Sequence, residues 1–284
     1  MRVISWNVQG RVKALPEQLK ALAERQPDLV ALQEVRESTV EPLSAGLQVM
    51  GLPFVTESVS FALDQGRKYG LLIASRWPTT QLPWMDMPYL ERVLSVQIAS
   101  DWGALELHNA HVPNGENHGW IKVETFEGIY ERLARLSALP RVLCGDFNSP
   151  QREDPDGHLV TWGQDLLADG RAVVCGTWED KAGRVDTGMR WDRAERLVLT
   201  GLATYDLVDA YRSCNGYDVQ GRSWWWTGQG KEIGRRFDHI FAARSLNAVE
   251  CQYLDAFRAR GLSDHVPIEV RFEPTSTSRA GQIA

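Results

Sequence analysis

Glu34 ends the apolar run LVALQE, and Asn7 ends VISWN. A carboxylate and an amide at two such ends can supply oxygens to a hard divalent cation, which keeps several of its waters. In CGDFNSP, Asp146 and Asn148 stand two apart. On a strand they share a face, where they can orient a water and hold a phosphoryl oxygen. The same spacing before Pro150 also suits an Asx turn. GLSDHVPIEV sets Asp264 and His265 ahead of a final strand, and RRFDHIF places Asp238 on another. A buried Asp fixes the tautomer of a His and raises its basicity, and the protonated ring can then stabilise charge on phosphate. A loop histidine beside an exposed Asp is the plainer alternative. HNAHVPNG carries Asn109 and His111. A His there can protonate a leaving oxygen or bind developing charge. His108 falls on the opposite strand face from Asn109 and reads as structural, while His118 and His158 take no role.

The elements that must position these groups are short apolar runs ending in a polar residue. Strands are predicted at VISWN, LVALQE, GLLIAS, RVLSVQIA, LELHNAH, VLCGDFN, RRFDHIF and VPIEVRF. Helical spacing lies between them. In ALPEQLKALAERQPD, Leu15, Leu19 and Leu22 form a stripe, Pro16 suits a first turn and Pro27 marks the stop. A second helix is predicted over Trp120 to Ala138, with Phe126, Tyr130 and Leu133 on one face, and a third over Arg193 to Ala203. Gln151 to His158 reads as a charged loop. The alternation is that of an α/β protein. Because the polar strand ends run from Asn7 to His265, a shared site makes residues 1–273 one domain. The small, polar stretch 274–284 reads as a flexible C-terminal tail.

The chain has 284 residues and a formal net charge of −6, from 37 acidic and 31 basic side chains. That balance argues against a protein that coats nucleic acid nonspecifically, though not against a nucleic-acid enzyme with a local basic rim. No apolar run approaches the roughly 18 residues of a membrane span. No basic-then-apolar leader precedes VISWNV, so a cytoplasmic monomer is the expectation. Cys144, Cys175, Cys214 and Cys251 lack paired-ligand spacing and read as inert thiols in a reducing compartment.

Taken in order, ISWNVQG, ALQEV, KYGLLIAS, NAHVPNG, CGDFNSP, SWWWTG, RRFDHIFA and LSDHVPIEV resemble the endonuclease/exonuclease/phosphatase superfamily of Mg²⁺-dependent phosphoesterases. The resemblance implies a four-layer α/β/β/α sandwich of two mostly antiparallel sheets flanked by helices. It implies that Glu34 and Asn7 hold Mg²⁺, with Mn²⁺ a substitute and Asp264 a further or water-mediated ligand. Asp146 would orient or deprotonate the attacking water, and Asn148 would position that water or the phosphate. Asp238 would orient His265, and His265 would bind a nonbridging phosphoryl oxygen. The cation and His265 together would neutralise the phosphoryl group during in-line attack.

Several segments look like the exonuclease III branch, which includes abasic-site endonucleases. Within it, Trp224 to Trp226 could stack on a base or fill the gap of a missing one, although neighbours on a strand alternate faces and at most two can face a ligand. Packing is the competing use. Arg11, Lys13, Arg67, Lys68, Arg235 and Arg236 could reach backbone phosphates. Asn109, Arg67, Trp225 and Arg236 are the substrate-binding candidates. His111 departs from the branch, which usually has Tyr there. Asn-x-His is more similar to deoxyribonuclease I, sphingomyelinase, deadenylase and phosphatase relatives, where the His is a general acid or hydrogen-bond donor. The expected activity is hydrolysis of a DNA phosphodiester, including at abasic or damaged sites, with no obligate protein partner and no membrane. The alternatives are a small or lipid-linked phosphate, or RNA. A noncatalytic binding module would need a lost catalytic residue, and none is lost.

Overall fold

The computed structural model describes residues 1–228 and 230–274, so the tail expected over 274–284 lies outside them apart from Pro274. Twelve strands form the two main sheets. They are β1 (Arg2–Asn7), β2 (Leu29–Val35), β3 (Phe54–Glu57), β4 (Gly70–Ser75), β5 (Thr79–Gln81), β6 (Val93–Ser100), β7 (Gly103–His111), β8 (Arg141–Asp146), β9 (Val208–Asp209), β10 (Asp238–Ala242), β11 (Ala248–Tyr253) and β12 (Ile268–Phe272). One six-stranded sheet runs β11-β12-β1-β2-β4-β3 and the other β9-β10-β8-β7-β6-β5. Each has a single parallel pair at its centre, β1 with β2 and β7 with β8. The other pairings in both sheets are antiparallel.

Period-2 alternation sorts the side chains into layers. Val3, Leu29, Ala31, Ile73, Leu107, Val142, Cys144 and Ile240 pack between the sheets. Ile4, Trp6, Val30, Leu32 and Leu72 turn outward under α1 (Leu15–Arg25) and α2 (Glu37–Val49), against Leu22, Leu43 and Leu47. Ala110, Leu143 and Phe241 turn outward under α3 (Trp120–Leu133) and α4 (Gly188–Leu199), against Phe126, Ile129 and Val198. Three apolar layers between four structural ones are the α/β/β/α sandwich that the resemblance implied.

Some boundaries differ from expectation. α1 begins with Pro16 in its first turn and ends at Arg25, where Gln26 takes a left-handed backbone. α3 stops at Leu133, short of Ala138, and Arg141 donates to the Leu133 and Arg135 carbonyls that follow. α4 starts at Gly188 with Thr187 as its N-cap, and the stretch past Leu199 tightens into a 3₁₀ turn at Gly201–Tyr205. The loop expected over Gln151 to His158 begins a run of short hairpins covering residues 152–187. No helix among the described residues is long and apolar enough to cross a membrane.

Candidate active site

By alternation, Asn7 on β1, Asn109 and His111 on β7, Asp146 on β8 and Asp238 on β10 all point between the sheets. Here the apolar filling gives way to polar groups. Asp146, Asp238 and His265 are all buried, and a ligand atom from each lies within 4.8 Å of the others. His265 sits just ahead of β12. Its Nδ1 donates to Asp238 Oδ2 at 2.8 Å, and its Nε2 faces Asp146 Oδ2 at 3.7 Å. Burial alone would lower the pKa of His265, but the Asp238 and Asp146 carboxylates outweigh it and push it up to about 10. Burial pushes the Asp146 carboxyl up to about 7, with His265 opposing the rise and Asp238 adding to it. The arrangement is an imidazolium with a carboxylate behind it and a protonatable carboxyl in front.

Glu34 reaches this cluster by a different route. Ala31 faces the other sheet and Leu32 the helices, so regular alternation would send Glu34 to the helix side. Instead the register of β2 against β4 shifts between Leu32 and Val35, and Glu34 takes φ +55°. This bulge carries the carboxylate into the site. Its Oε1 lies 3.2 Å from Asn7 Nδ2 and 3.8 Å from His111 Nε2, and among the described residues it pairs with no Arg or Lys. Asn7 Nδ2 also donates to Asp146 Oδ2 at 3.0 Å.

The donor set fits a hard divalent cation: among the described residues Glu34 pairs with no Arg or Lys and meets only His111 Nε2, at 3.8 Å, and Asp238 Oδ1 is buried without a hydrogen-bond partner. Asn7 turns its NH₂ toward both carboxylates, so holding a cation requires its amide oxygen to swing inward. Asp264 stands beside the cluster, and its Oδ1 accepts from Ser263 Oγ at 3.4 Å.

Asn148 does not continue the strand. Its φ is +51°, its backbone N–H donates to Asp146 Oδ1 at 2.9 Å, and its amide donates to the Val112 carbonyl at 2.9 Å. The Asx turn and the shared site are therefore both present. The turn uses one Asp146 oxygen and leaves the other to Asn7 and His265. Lys122 Nζ and Trp162 Nε1 clamp the Asn148 carbonyl at 2.7 and 2.9 Å. Neither was anticipated, yet Lys122 shares the α3 stripe of Phe126, Ile129 and Leu133, an unusual place for a cation. Ser223 is a second omission. Its Oγ accepts from the backbone N–H groups of Phe237 and Asp238 at 2.9 and 3.0 Å, tying the start of the strand Trp224–Gly228 to the start of β10.

His111 is buried, and its pKa is held well below the usual imidazole value by burial, then by the charges of Arg92, His265 and His118. Its Nδ1 meets Arg92 Nη1 at 2.6 Å. His108, read as structural, bonds Ser95 Oγ through Nδ1 at 2.8 Å.

The substrate-binding candidates fare differently. Asn109 is fully buried; its Nδ2 donates to the Leu32 and Leu72 carbonyls, and its Oδ1 accepts from Gln33. It stitches the two sheets, with both of its amide protons committed to backbone carbonyls. Arg236 is also withdrawn, buried between Glu153 at 2.8 Å and Asp209 at 2.7 Å. Arg67 spends its fork on the fully buried Glu91, at 2.5 and 2.8 Å. Trp225 lies under the Arg258 guanidinium at 4.0 Å. Trp224, on the other face of its strand, stacks on Phe237 at 5.2 Å, and Phe237 packs against Trp162 beside Asn148. Alternation thus puts Trp224, against Phe237, and Trp225, under Arg258, on opposite faces of their strand.

The chain matches the model of the "Endonuclease/Exonuclease/phosphatase family" over residues 4–265. It is 25% identical to exodeoxyribonuclease III of Haemophilus influenzae over 96% of this chain and 100% of that protein. An AP endonuclease from Archaeoglobus fulgidus superposes with a TM-score of 0.64 at 20% identity, covering 96% of this chain and 99% of that one. A 3′ phosphatase from Neisseria bound to product DNA hairpin gives 0.65 at 21%, with 96% and 99% coverage. Matched over nearly its whole length, the chain belongs to the endonuclease/exonuclease/phosphatase family and is a phosphoester-hydrolysing enzyme.

Proposed function

We propose that this enzyme is a Mg²⁺-dependent DNA phosphodiesterase, with Mn²⁺ able to substitute, cutting at abasic or damaged sites by in-line attack of water. The observation that carries the reading is the His265 ring, backed by Asp238 at 2.8 Å and facing Asp146 at 3.7 Å, beside a Glu34 that among the described residues pairs with no Arg or Lys. DNA as substrate draws support from the exodeoxyribonuclease III relative, matched over its whole length. Glu34 and Asn7 would hold the cation, with Asp264 next to them. A bound divalent cation supplies positive charge to the phosphoryl oxygens. Asp146, once ionised, takes the proton of the attacking water, and Asn148 fixes where that water sits. His265 donates from Nε2 to a nonbridging oxygen while Asp238 keeps its ring in place. His111, whose Nε2 lies 3.8 Å from the same Asp146 oxygen that faces His265, would meet the leaving oxygen.

The test is a 5′-labelled duplex with one abasic site, incubated with Mg²⁺ or EDTA, with His265→Ala in parallel. Mg²⁺-dependent cutting at the abasic position, absent in His265→Ala, is the expected result. Cutting spread along the strand indicates a general nuclease. An intact duplex transfers the reading to RNA or small phosphoesters. Arg67 and Arg236 favour that second reading, since both are tied to carboxylates and unavailable to a long phosphate backbone.

A further inference from the structure

Arg92 lies outside every motif of the sequence. It closes the 3₁₀ turn Leu90–Arg92 at the start of β6 and is 8% exposed. Its Nη1 is 2.6 Å from His111 Nδ1. A guanidinium has only N–H groups and cannot accept a hydrogen bond. Nδ1 must therefore present its lone pair, and the ring proton must sit on Nε2. That edge faces Glu34 Oε1 and Asp146 Oδ2, each 3.8 Å away.

The arginine is itself held. Its Nε lies 3.8 Å from Glu91 Oε1, and the fully buried Glu91 is gripped by Arg67 through both oxygens. Ser58 Oγ donates to the Glu91 carbonyl at 2.8 Å, fixing the turn against the first sheet. The site thus wires its two histidines in opposite senses. An acceptor, Asp238, stands behind Nδ1 of His265; a donor, Arg92, stands behind Nδ1 of His111.

We propose that Arg92 is a positioning residue that locks His111 as the Nε2–H tautomer, so that His111 gives a hydrogen bond to the leaving oxygen and keeps its proton. The inference rests on the phosphoesterase reading. As the P–O bond breaks, its electron pair goes to the leaving oxygen, and that oxygen takes its proton from solvent water. His111 stabilises the developing charge and ends the turnover in the form in which it began.

The first test needs no substrate. Metal-free protein labelled with ¹⁵N-histidine gives the proton position on each ring by ¹H–¹⁵N correlation, with His111→Gln to assign the signal. The expected spectrum has a bare Nδ1 and a protonated Nε2 for His111. Arg92→Met releases the lock and mixes the tautomers, whereas Arg92→Lys, which keeps a donor, restores the wild-type pattern. A His111 protonated on Nδ1 in the wild type overturns the proposal, whether or not any DNA is cut.

The second test uses two phosphodiesters, a DNA strand and a 4-nitrophenyl ester of a nucleotide. Arg92→Met lowers kcat on DNA by roughly 10- to 100-fold with KM little changed. On the nitrophenyl ester, whose leaving oxygen needs no hydrogen bond, the loss nearly vanishes. Equal losses on both substrates mean that Arg92 only supports the fold, and overturn the proposal. If Arg92→Met does not fold, Arg92→Lys and the wild-type spectrum decide. Inactivity of every variant and of the wild type on both esters would sink the phosphoesterase reading instead, and leave the spectrum untouched.

Discussion

Asp146 and His265 give the site a definite pH signature. Folded Asp146 keeps its proton to about 7, whereas an unfolded Asp loses it near 3.8. Folding therefore binds a proton in that window, and stability falls as pH rises through it. Folded His265 keeps its proton to about 10 against 6.5 unfolded; its stabilisation is whole below 6.5 and is lost as pH climbs toward 10. In the presence of a chelator the Tm advantage of the wild type over Asp146→Asn should shrink as pH rises through the lower window, a comparison that sets aside the opposite slope from His108, His111 and His118, whose lowered pKa values add stability as pH rises toward 6.5; calorimetry over pH checks this, and an advantage that grows through that window would contradict it. Asp238→Asn should leave the fold intact and slow turnover by about 10²- to 10⁴-fold, because the amide no longer holds the His265 proton in place. Single-turnover kinetics at saturating Mg²⁺ read the loss. Asp146, Asn148, Asp238 and His265 were legible because each sits at or beside one end of an apolar run: Asp146 closes β8 with Asn148 just beyond it, Asp238 opens β10 and His265 comes just ahead of β12. For Asn109, Arg236 and Trp225 the structure adds what their types could not show, a partner far along the chain: Leu72, Glu153 and Arg258 respectively.

At the scale of elements, β2 and β8 carry the constraints. Gly145 on β8 has φ +142°, and a Cβ there would lie 1.8 Å from the Ala110 carbonyl oxygen of the paired parallel strand. Gly145→Ala must therefore spread β7 from β8, at about 3 kcal/mol or more of stability by urea denaturation, and the adjoining Asp146 moves with it. The Glu34 bulge predicts the reverse pairing of effects. A glycine accepts φ +55° without strain, so Glu34→Gly should change stability by no more than about 1 kcal/mol while abolishing cation binding by calorimetric titration. A large loss of stability with cation binding retained would refute this reading of the bulge. Strands and the first helix could be read from period and Pro placement. α2 was missed because Pro42 lies inside it and its buried face narrows to Thr39, Leu43 and Leu47. The bulge was equally hidden, since nothing in LVALQEV announces the extra residue.

For the molecule as a whole, β12 pairs antiparallel with β1, with Arg271 opposite Arg2 and Ile268 opposite Ser5. Residues 79–242 supply the second sheet as one continuous insertion between the two parts of the first. The shared inter-sheet core then leaves neither sheet able to bury its inner face alone, so residues 1–273 should unfold in one cooperative step. Coincident far-ultraviolet and tryptophan-fluorescence transitions in urea check this, and two separated transitions would reject it. The closing strand also dictates a timetable. During synthesis Asn7, Glu34, His111, Asp146 and Asp238 leave the ribosome in turn, and His265 and the strand that completes β1 come after all of them. The nascent chain is thus disarmed by its own topology: a translation product broken off before residue 265 lacks both its phosphate-binding ring and the neighbour that seals its first strand.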